Sequence, residues 1–386
     1  MIIGVVSESL PGERRVALAP NVLPALTKAG LQVLVEPGAG TAAGFLDGAY
    51  QERGATLAAS REDVYQRADV VLRVRLGPSG DASSAPDLSL LRAGQAVMAF
   101  LDPLSDRALV RDLAERQVSA FSMELMPRIT RAQSMDALSS MATIAGYKAV
   151  LLAAGTLPRM FPMLMTAAGN VSAARAFVIG AGVAGLQAIA TARRLGAQVQ
   201  AFDVRPAAKE QIISLGAKVA DIPLEAAEAE DRGGYARAQD EAFYQRQREM
   251  MGKVVAQSDV VITTAAIPGK RAPVLITAEM VRAMQPGSVI VDLAAERGGN
   301  CELTRAEETV VEHGVTVLGP TNLASTVPYH ASQMYAKNIT TFLLHLVKAG
   351  ALAFDPEDEI TRETLVTHKG DVVQPRVREL VLASAS

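Results

Sequence analysis

The chain has 386 residues, of which 49% are apolar and 20% charged, and its formal net charge is −3. This length predicts two α/β domains, and the weak charge argues against nucleic acid or an anionic membrane as the main partner. The single cysteine, Cys301, excludes an internal disulfide and suits a reducing compartment. Four scattered histidines and one cysteine form no metal-ligand cluster, so we expect no metal.

Residues 1 to about 130 alternate predicted strands and helices, which indicates a parallel, doubly wound sheet. The predicted strands are 2–6, 32–36, 68–74, 95–101 and 118–123, and the predicted helices include 20–29 and 106–116. The first residues, MIIGVVSES, lack a basic region and predict a strand instead of a signal peptide. No apolar run approaches the ~20 residues that span a bilayer, so we expect no transmembrane segment in this chain.

A polar break at residues 126–136, MPRITRAQSMD, precedes a predicted helix at 137–152. We call residues 126–139 the linker segment, because the helix after it would carry the chain into the second domain. Four of its side chains are suited to fixing a carboxamide by hydrogen bonds: Arg128, Gln133, Asp136 and Ser139. A structural role fits equally well, with Ser134 or Asp136 as the N-cap of the helix.

The most informative stretch is residues 176–205, AFVIGAGVAGLQAIATARRLGAQVQAFDVR. It predicts a strand at 177–179, a glycine turn, a helix stopped by Gly196 and a second strand at 199–202. The turn, Gly180-Ala181-Gly182-Val183-Ala184-Gly185, fits G-x-G-x-x-G. Its glycines would permit the tight turn, the approach of backbone N–H groups to a pyrophosphate, and close packing of helix on strand. The diphosphate would lie at the helix N-terminus, where unpaired N–H groups favour an anion.

An acid ends the second of these strands. Asp203 lies 18 positions after Gly185 (203 − 185). A carboxylate there can accept both ribose hydroxyls of adenosine and would repel a 2′-phosphate, which favours NAD over NADP. Arg205, two residues further on, leaves a smaller chance of NADP. We therefore predict NAD(H) as the cofactor.

The remaining predicted elements complete two domains. Strands are predicted at 259–264, 288–293 and 315–318, a long helix at 332–348 and a hairpin at 364–373. Residues 221–257 predict a mobile loop followed by a surface helix. The predicted fold class is α/β, with two doubly wound parallel-sheet (Rossmann-like) domains joined by two long helices and separated by a cleft. The predicted domains are 1–130 with 335–386, and 140–330.

Several stretches together resemble the NAD(H)-binding domain I of proton-translocating NAD(P) transhydrogenase, the soluble alpha-1 subunit in bacteria that split the enzyme. They are PRITRAQSMDALSS, TAAGNVSAARAFVIGAGVAGLQAIATARRLGA, FDVRPAAKEQIISLGAK, ITTAAIPGKRAPVLIT, GSVIVDLAAERGGN and YAKNI. The resemblance covers essentially the whole chain. RAQSMD is its specific part, because the glycine turn alone would fit many other dehydrogenases.

The resemblance implies that the loop containing RAQSMD covers the nicotinamide. It implies that Arg128, Asp136 and Ser139 orient the NAD carboxamide, and that Gln133 reaches towards an NADP nucleotide on a partner domain. Asp203 matches the adenosine-ribose acid of the family, and Tyr235, in GGYA, matches its mobile-loop tyrosine. The predicted cofactor-binding residues are Gly180, Ala181, Gly182, Val183, Ala184, Gly185, Asp203, Val204, Arg205, Tyr235, Thr264 and Ala265.

The resemblance also implies an activity and partners. The chain would pass hydride from NADH to NADP+, with NADP(H) held on a separate subunit, and would be inactive in transhydrogenation without that partner. It would be a homodimer docked on membrane-spanning subunits, which couple the reaction to proton movement. Its location would be cytoplasmic, peripheral at the inner face of the plasma membrane.

Two other functions stay open, and the first is that of an alanine dehydrogenase, the nearest relative by fold. This sequence keeps an N-terminal arginine, Arg15, but has Arg73 and Arg75 where that family has a lysine, and Asp102 where it has a histidine. Arginine cannot exchange a proton near neutral pH, so the proton relay would be missing. As a structural role, we expect these three arginines to form a salt-bridged surface.

The second alternative is an NAD-binding module without chemistry, which senses the cofactor or holds an assembly together. Only the RAQSMD stretch separates this interpretation from catalysis, because a pure sensor would not need it.

Overall fold

The structure, a computed structural model, describes residues 1–77, 82–83, 85–220, 222, 241–267 and 269–383. The chain divides into two compact units. The first unit comprises Met1–Met141 and Ala324–Ser386, and the second comprises Ala142–Leu323.

Within the described residues the strands, numbered in chain order, are β1 (Ile2–Val5), β2 (Gln32–Val35), β3 (Thr56–Leu57), β4 (Val70–Arg75), β5 (Ala96–Phe100), β6 (Ser119–Ser122), β7 (Leu164–Thr166), β8 (Gly169–Val171), β9 (Arg175–Ile179), β10 (Gln198–Phe202), β11 (Lys218–Val219), β12 (Val260–Thr263), β13 (Val289–Asp292), β14 (Thr309–Glu312), β15 (Val315–Leu318), β16 (Val347–Lys348), β17 (Ala351–Leu352), β18 (Leu365–His368) and β19 (Asp371–Val372).

The α-helices are α1 (Leu23–Lys28), α2 (Asp47–Glu52), α3 (Arg61–Arg67), α4 (Ala85–Leu90), α5 (Arg107–Glu115), α6 (Ala137–Thr156), α7 (Val183–Arg194), α8 (Ala207–Ser214), α9 (Glu241–Ala256), α10 (Ala278–Arg282), α11 (Pro328–Leu346), α12 (Glu359–Thr364) and α13 (Pro375–Ala383). Short 3-10 helices lie at Pro20–Val22, Thr41–Ala43, Met123–Leu125, Thr130–Met135, Ala295–Arg297 and Leu323–Thr326. The predicted strands and long helices are therefore present, with bounds shifted by one to four residues.

The first unit is built on an eight-stranded sheet with the order β19-β18-β6-β5-β4-β1-β2-β3. The pairs from β6 to β3 are parallel, and β18 and β19 are antiparallel. Lys369 and Gly370, with φ of 49° and 92°, form the predicted hairpin turn between β18 and β19. The strand order reverses between β1 and β4, and we call this position the first switch point.

The second unit is built on a seven-stranded sheet with the order β11-β10-β9-β12-β13-β15-β14. All neighbours are parallel except β14, an edge strand that the sequence had not predicted. The connection from β14 to β15 runs through His313 and Gly314, both with positive φ. A two-residue turn of this type forces antiparallel pairing. The strand order reverses between β9 and β12, which is the second switch point.

The sheet of the second unit is buried on both faces. Along β9, Ala176 and Val178 belong to one hydrophobic cluster, while Phe177 and Ile179 belong to another. This alternation explains why the strand is an unbroken apolar run. A short hairpin of β7 and β8, also not predicted, lies in the same unit and exposes Met163 and Met165.

Helix α6 is longer and more apolar than the sequence analysis allowed. Among the described residues it is one helix that could span a bilayer by length and composition alone, with 20 residues and a mean hydropathy of 1.4. The expectation that no apolar run approaches this length was wrong for α6, which continues four residues past 152. It is weak evidence for a membrane span, because core helices of soluble proteins pass the same test. A Cβ at Gly146 of this helix would lie 2.1 Å from the Ala184 carbonyl oxygen, so α6 packs tightly on α7.

Candidate dinucleotide site and linker segment

The three glycines of the turn between β9 and α7 have three different surroundings. Gly180 has a φ of +94°, which a side chain rarely adopts. A Cβ at Gly185 would lie 1.8 Å from the Gly180 carbonyl oxygen, so the helix start packs directly on the turn. A Cβ at Gly182 would meet nothing within 4 Å, so the space beside this residue is open. The turn thus has the tight bend, the close packing and the open approach that a pyrophosphate requires.

Gly182 is also the N-cap of α7, and its side of the helix carries no capping side chain. The first N–H groups of a helix have no partner within the helix and favour an anion. The turn therefore offers backbone donors beside open space.

Asp203 follows β10 and lies against this turn. Its Oδ2 accepts the Ala181 N–H at 2.7 Å, and its Oδ1 accepts the Arg205 N–H at 2.8 Å. The Arg205 guanidinium binds the same carboxylate, from Nε to Oδ1 at 2.9 Å and from Nη2 to Oδ2 at 2.9 Å. The predicted acid therefore lies at the turn, but it already holds an ion pair that the sequence analysis did not foresee.

The ends of β12 and β13 complete the same edge of the sheet. The Thr264 hydroxyl donates to the Gly180 carbonyl at 3.1 Å, which ties the predicted residue after β12 to the turn. The Ala265 N–H donates to Asn300 Oδ1 at 3.0 Å, and Asn300 Nδ2 donates to the Ala265 carbonyl at 2.8 Å. Thr264 and Ala265 are thus positioned beside the turn by backbone and amide contacts.

Asp292, at the end of β13, organises the loop behind that edge, and the sequence analysis missed this role. It is fully buried and accepts hydrogen bonds from Thr263, Ala294, Asn300, Cys301 and Thr304. Buried carboxylates are rare unless hydrogen-bonded in this way. An Asp directly after a buried apolar strand, as in VIVD, was the available signal.

The linker segment lies in the first unit and is held in place at several points. Residues Thr130–Met135 form a 3-10 helix in which Ala132 and Met135 are buried. Arg131 forms an ion pair with Asp358 at 2.7 Å. Asn338 Nδ2 donates to the Ser134 carbonyl at 2.9 Å, a contact that the sequence analysis also missed. The segment is therefore an ordered part of the unit.

The four predicted site residues of this segment fall into two pairs. Asp136 accepts the Ser139 N–H at 2.9 Å and the Ser139 hydroxyl at 2.5 Å, so it caps α6 as the structural interpretation predicted. Arg128 and Gln133, in contrast, are exposed. Tyr235, the predicted mobile-loop residue, lies outside the described residues.

The arginines expected at the surface of the first unit are buried instead. Arg73 is 1% exposed and contacts Glu8 at 3.2 Å, Asp87 at 2.6 Å and the Tyr65 hydroxyl at 3.0 Å. Arg15 is 5% exposed and pairs with Glu13 at 2.6 Å. The salt bridges were predicted correctly and their surface location was wrong, because a planar guanidinium can be buried when all its donors find acceptors.

The buried carboxylates around Arg73 have opposite pKa shifts. Burial raises the pKa of Glu8, and the Arg73 guanidinium only partly opposes that rise. Burial acts in the same direction on Asp87, but Arg73 and Ser9 outweigh it and lower the pKa of Asp87. In the described part of the chain, no three His, Cys, Asp or Glu side chains are grouped so that they could hold a metal.

Taken together, the sheet order, the glycine turn and the acid at its side are those of a dinucleotide-binding α/β protein. Models of two domains match the chain: the alanine dehydrogenase/PNT N-terminal domain at residues 4–145 and the C-terminal domain at residues 149–375. The chain therefore belongs to the alanine dehydrogenase/PNT family, whose members place it among NAD-binding oxidoreductases. The predicted family and the predicted class of two parallel-sheet domains are confirmed.

Individual relatives agree with this placement. The first of the two alpha-subunit chains of the NAD(P) transhydrogenase of Rhodospirillum rubrum is 48% identical over 378 residues, which are 97% of this chain and 98% of that protein. The crystal structure of a transhydrogenase from Sinorhizobium meliloti matches with a TM-score of 0.83 and 44% identity, over 97% of this chain and 99% of that one. The structure of an L-alanine dehydrogenase also matches with a TM-score of 0.83, at 26% identity and over the full length of both chains.

Proposed function

We propose that this chain is the NAD(H)-binding catalytic subunit of a proton-translocating transhydrogenase and passes hydride from NADH to NADP+ held on a partner subunit. The observation that carries the proposal is the exposed Gln133 and Arg128 on a linker segment that is anchored by Arg131 and Asn338. A side chain that is held in place but faces outwards suits contact with a second nucleotide. The 48% identity to a transhydrogenase alpha-subunit chain supports the same conclusion.

Hydride transfer between two nicotinamides makes few chemical demands on the protein. It needs the two C4 atoms in register and water excluded, and it needs no nucleophile or proton relay. The glycine turn, Val204, Thr264 and Ala265 would hold the dinucleotide, and Asp203 would hold the adenosine ribose. Arg128, Asp136 and Ser139 would orient the carboxamide, with Asp136 and Ser139 acting as the pair that already caps α6.

The partners follow from the same proposal. Membrane-spanning and NADP-binding subunits would supply the acceptor and the coupling to protons, and this chain would dock at the cytoplasmic face of the membrane as a homodimer. The exposed apolar side chains on and beside the β7–β8 hairpin support an interface there, since single soluble chains rarely expose such patches. They include Met163 and Met165, 62% and 77% exposed.

An alanine dehydrogenase activity is the alternative that the full-length match to that enzyme favours. Arg73, in the strand where a lysine would serve as proton carrier, is bound on several sides by Glu8, Asp87 and Tyr65. An arginine held in this way cannot take part in proton exchange. We expect no NAD-dependent oxidation of L-alanine above background, and a turnover that Arg15→Ala abolishes would establish the alternative.

The proposal is tested by comparing binding with transfer. We expect Gln133→Asn to leave the affinity for NADH nearly unchanged and to slow hydride transfer, because a shift of about 1 Å between donor and acceptor can cost ~100-fold in rate. Arg128→Ala should weaken NADH binding as well, since a charged hydrogen bond contributes about 1.5–3 kcal/mol. The measurement is single-turnover transfer from NADH to an NADP+ analogue with the purified partner domain, beside NADH titration of each variant.

The outcomes distinguish catalysis from binding alone. Transfer at the unmutated rate by Gln133→Asn would reduce the linker segment to a capped connection and support the non-catalytic module. Loss of both binding and transfer in Gln133→Asn would place this residue in the NADH site itself.

A further inference from the structure

The carboxylate of Asp203 is surrounded by four donors. Two are backbone N–H groups, of Ala181 at 2.7 Å and of Arg205 at 2.8 Å. Two belong to the Arg205 guanidinium, which binds both oxygens at 2.9 Å. A carboxylate offers about four acceptor positions, so these donors already match its capacity. The side chains of Arg205 and Asp203 are 15% and 6% exposed, which makes the ion pair largely shielded from water.

The four donors differ in how readily they can move. The Ala181 N–H is fixed by the glycine turn, whereas the guanidinium of Arg205 is carried on a side chain that can rotate. An adenosine ribose would donate its hydroxyl hydrogens to this same carboxylate. Acceptance of the ribose therefore requires the Arg205 side chain to give up its place.

We propose that Arg205 is a specificity-determining residue whose guanidinium competes with the adenosine ribose for Asp203. This inference rests on the proposed function only in that an adenine dinucleotide binds at this turn. Arg205 reduces the affinity for a ribose with two free hydroxyls, because the binding-competent arrangement is only one of two that Asp203 can adopt.

The same ion pair changes the response to a 2′-phosphate. A lone carboxylate would repel that phosphate, but beside Arg205 the two charges cancel. Once displaced from Asp203, the guanidinium is a planar donor that suits a phosphate. Arg205 therefore narrows the preference for NAD over NADP that Asp203 alone would produce.

The test uses 5′-AMP and 2′,5′-ADP as probes of this half of the site, with calorimetric titration of the full chain. We expect Arg205→Ala to bind 5′-AMP at least about threefold more tightly, because the competitor is removed. The same variant should bind 2′,5′-ADP at least about tenfold more weakly, because the bare carboxylate remains. Arg205→Lys keeps the charge without the planar fork, so it should gain affinity for 5′-AMP and lose little for 2′,5′-ADP. Circular dichroism checks that each variant is folded.

Each result decides the matter. Weaker binding of 5′-AMP by Arg205→Ala would mean that Arg205 merely positions Asp203, and unchanged binding of both probes would mean that it has no role; either overturns the proposal. In both cases the unmutated chain would still bind NADH, so the proposed function would stand. Failure of the unmutated chain to bind NADH and 5′-AMP would overturn both.

Discussion

Both sheets reverse their strand order beside their first strand, and the two switch points are built in the same way. In the second unit, Asp203 follows β10 and accepts the Ala181 N–H at 2.7 Å. In the first unit, Glu36 follows β2 and accepts the Ser7 N–H, also at 2.7 Å. Each acid is paired with an arginine, Asp203 with Arg205 and Glu36 with Arg61.

The residues after the first strand make the difference. In the second unit they are glycines, and the space beside Gly182 is open. In the first unit they are Ser7, Glu8 and Ser9, and Glu8 and Ser9 hydrogen-bond to the buried Arg73. One switch point is therefore filled by the protein's own charges and the other leaves room for a ligand. The comparison teaches that the same topology provides a binding edge only where the first turn lacks side chains.

The largest expected effect comes from removing the central charge of the filled switch point. Arg73→Met would leave Glu8 and Asp87 buried without their main partner, which should lower the free energy of unfolding by about 3–5 kcal/mol. Arg67→Met is the matched control, because the Arg67–Asp63 pair is exposed and should contribute less than ~0.5 kcal/mol. Urea unfolding measures both.

NADH titration of the same two variants sharpens the comparison. If the two switch points act separately, Arg73→Met should keep its NADH affinity within about twofold at temperatures where it is folded. A loss in affinity as large as the loss in stability would contradict the view that the first switch point has only a structural role.

The next effect tests the open switch point. Gly182→Ala has room for its methyl group and should change the free energy of unfolding by less than ~1 kcal/mol. It should nevertheless weaken NADH binding at least ~10-fold, because the methyl stands where the pyrophosphate approaches the backbone. Gly48→Ala, also without a close neighbour, is the control in the first unit. Calorimetry with NADH that shows equal affinity for both variants would remove the pyrophosphate from this turn.

The smallest effect comes from a charge pair away from both switch points. Although burial opposes it, hydrogen bonds from His345 and Thr361 lower the pKa of Asp358 below its ordinary value of 3.8. A depressed carboxylate pKa stabilises the fold above the unfolded value and loses that contribution as the pH falls below about 3.8. Asp358→Asn should therefore cost about 1 kcal/mol at pH 7 and almost nothing at pH 2, measured by thermal unfolding at each pH. An equal cost at both pH values would exclude the charge as its cause.

The sequence predicted those features that depend on neighbours along the chain. Apolar runs predicted the parallel strands, and the spacing from Gly180 to Asp203 predicted the turn and its acid. The hairpin of β7 and β8 was not predicted, because its strands are three residues long and lack alternation. The edge strand β14 has a clear alternation, but its pairing depends on the positive φ of His313, which the sequence does not advertise.

Features that depend on distant residues could not be predicted. The burial of Arg73 requires Glu8, 65 positions away, and Asp87 to converge on one guanidinium. The anchoring of Ser134 requires Asn338, 204 positions away. The Asp203–Arg205 pair is local, yet a two-residue spacing alone does not tell whether the arginine points at the acid or away from it. Such contacts follow from side-chain direction, which periodicity does not encode.

Cys301, whose N–H donates to Asp292, is the single cysteine of the chain and is buried. Burial raises the pKa of its thiol to about 11, and only the thiolate reacts readily. Maleimide reagents should therefore leave the native chain unlabelled at neutral pH. A cysteine introduced by Met165→Cys, at a position 77% exposed, would be the sole reactive thiol. The chain can thus carry one fluorophore or spin label on its apolar hairpin without prior removal of a native cysteine, which makes subunit docking directly observable by spectroscopy.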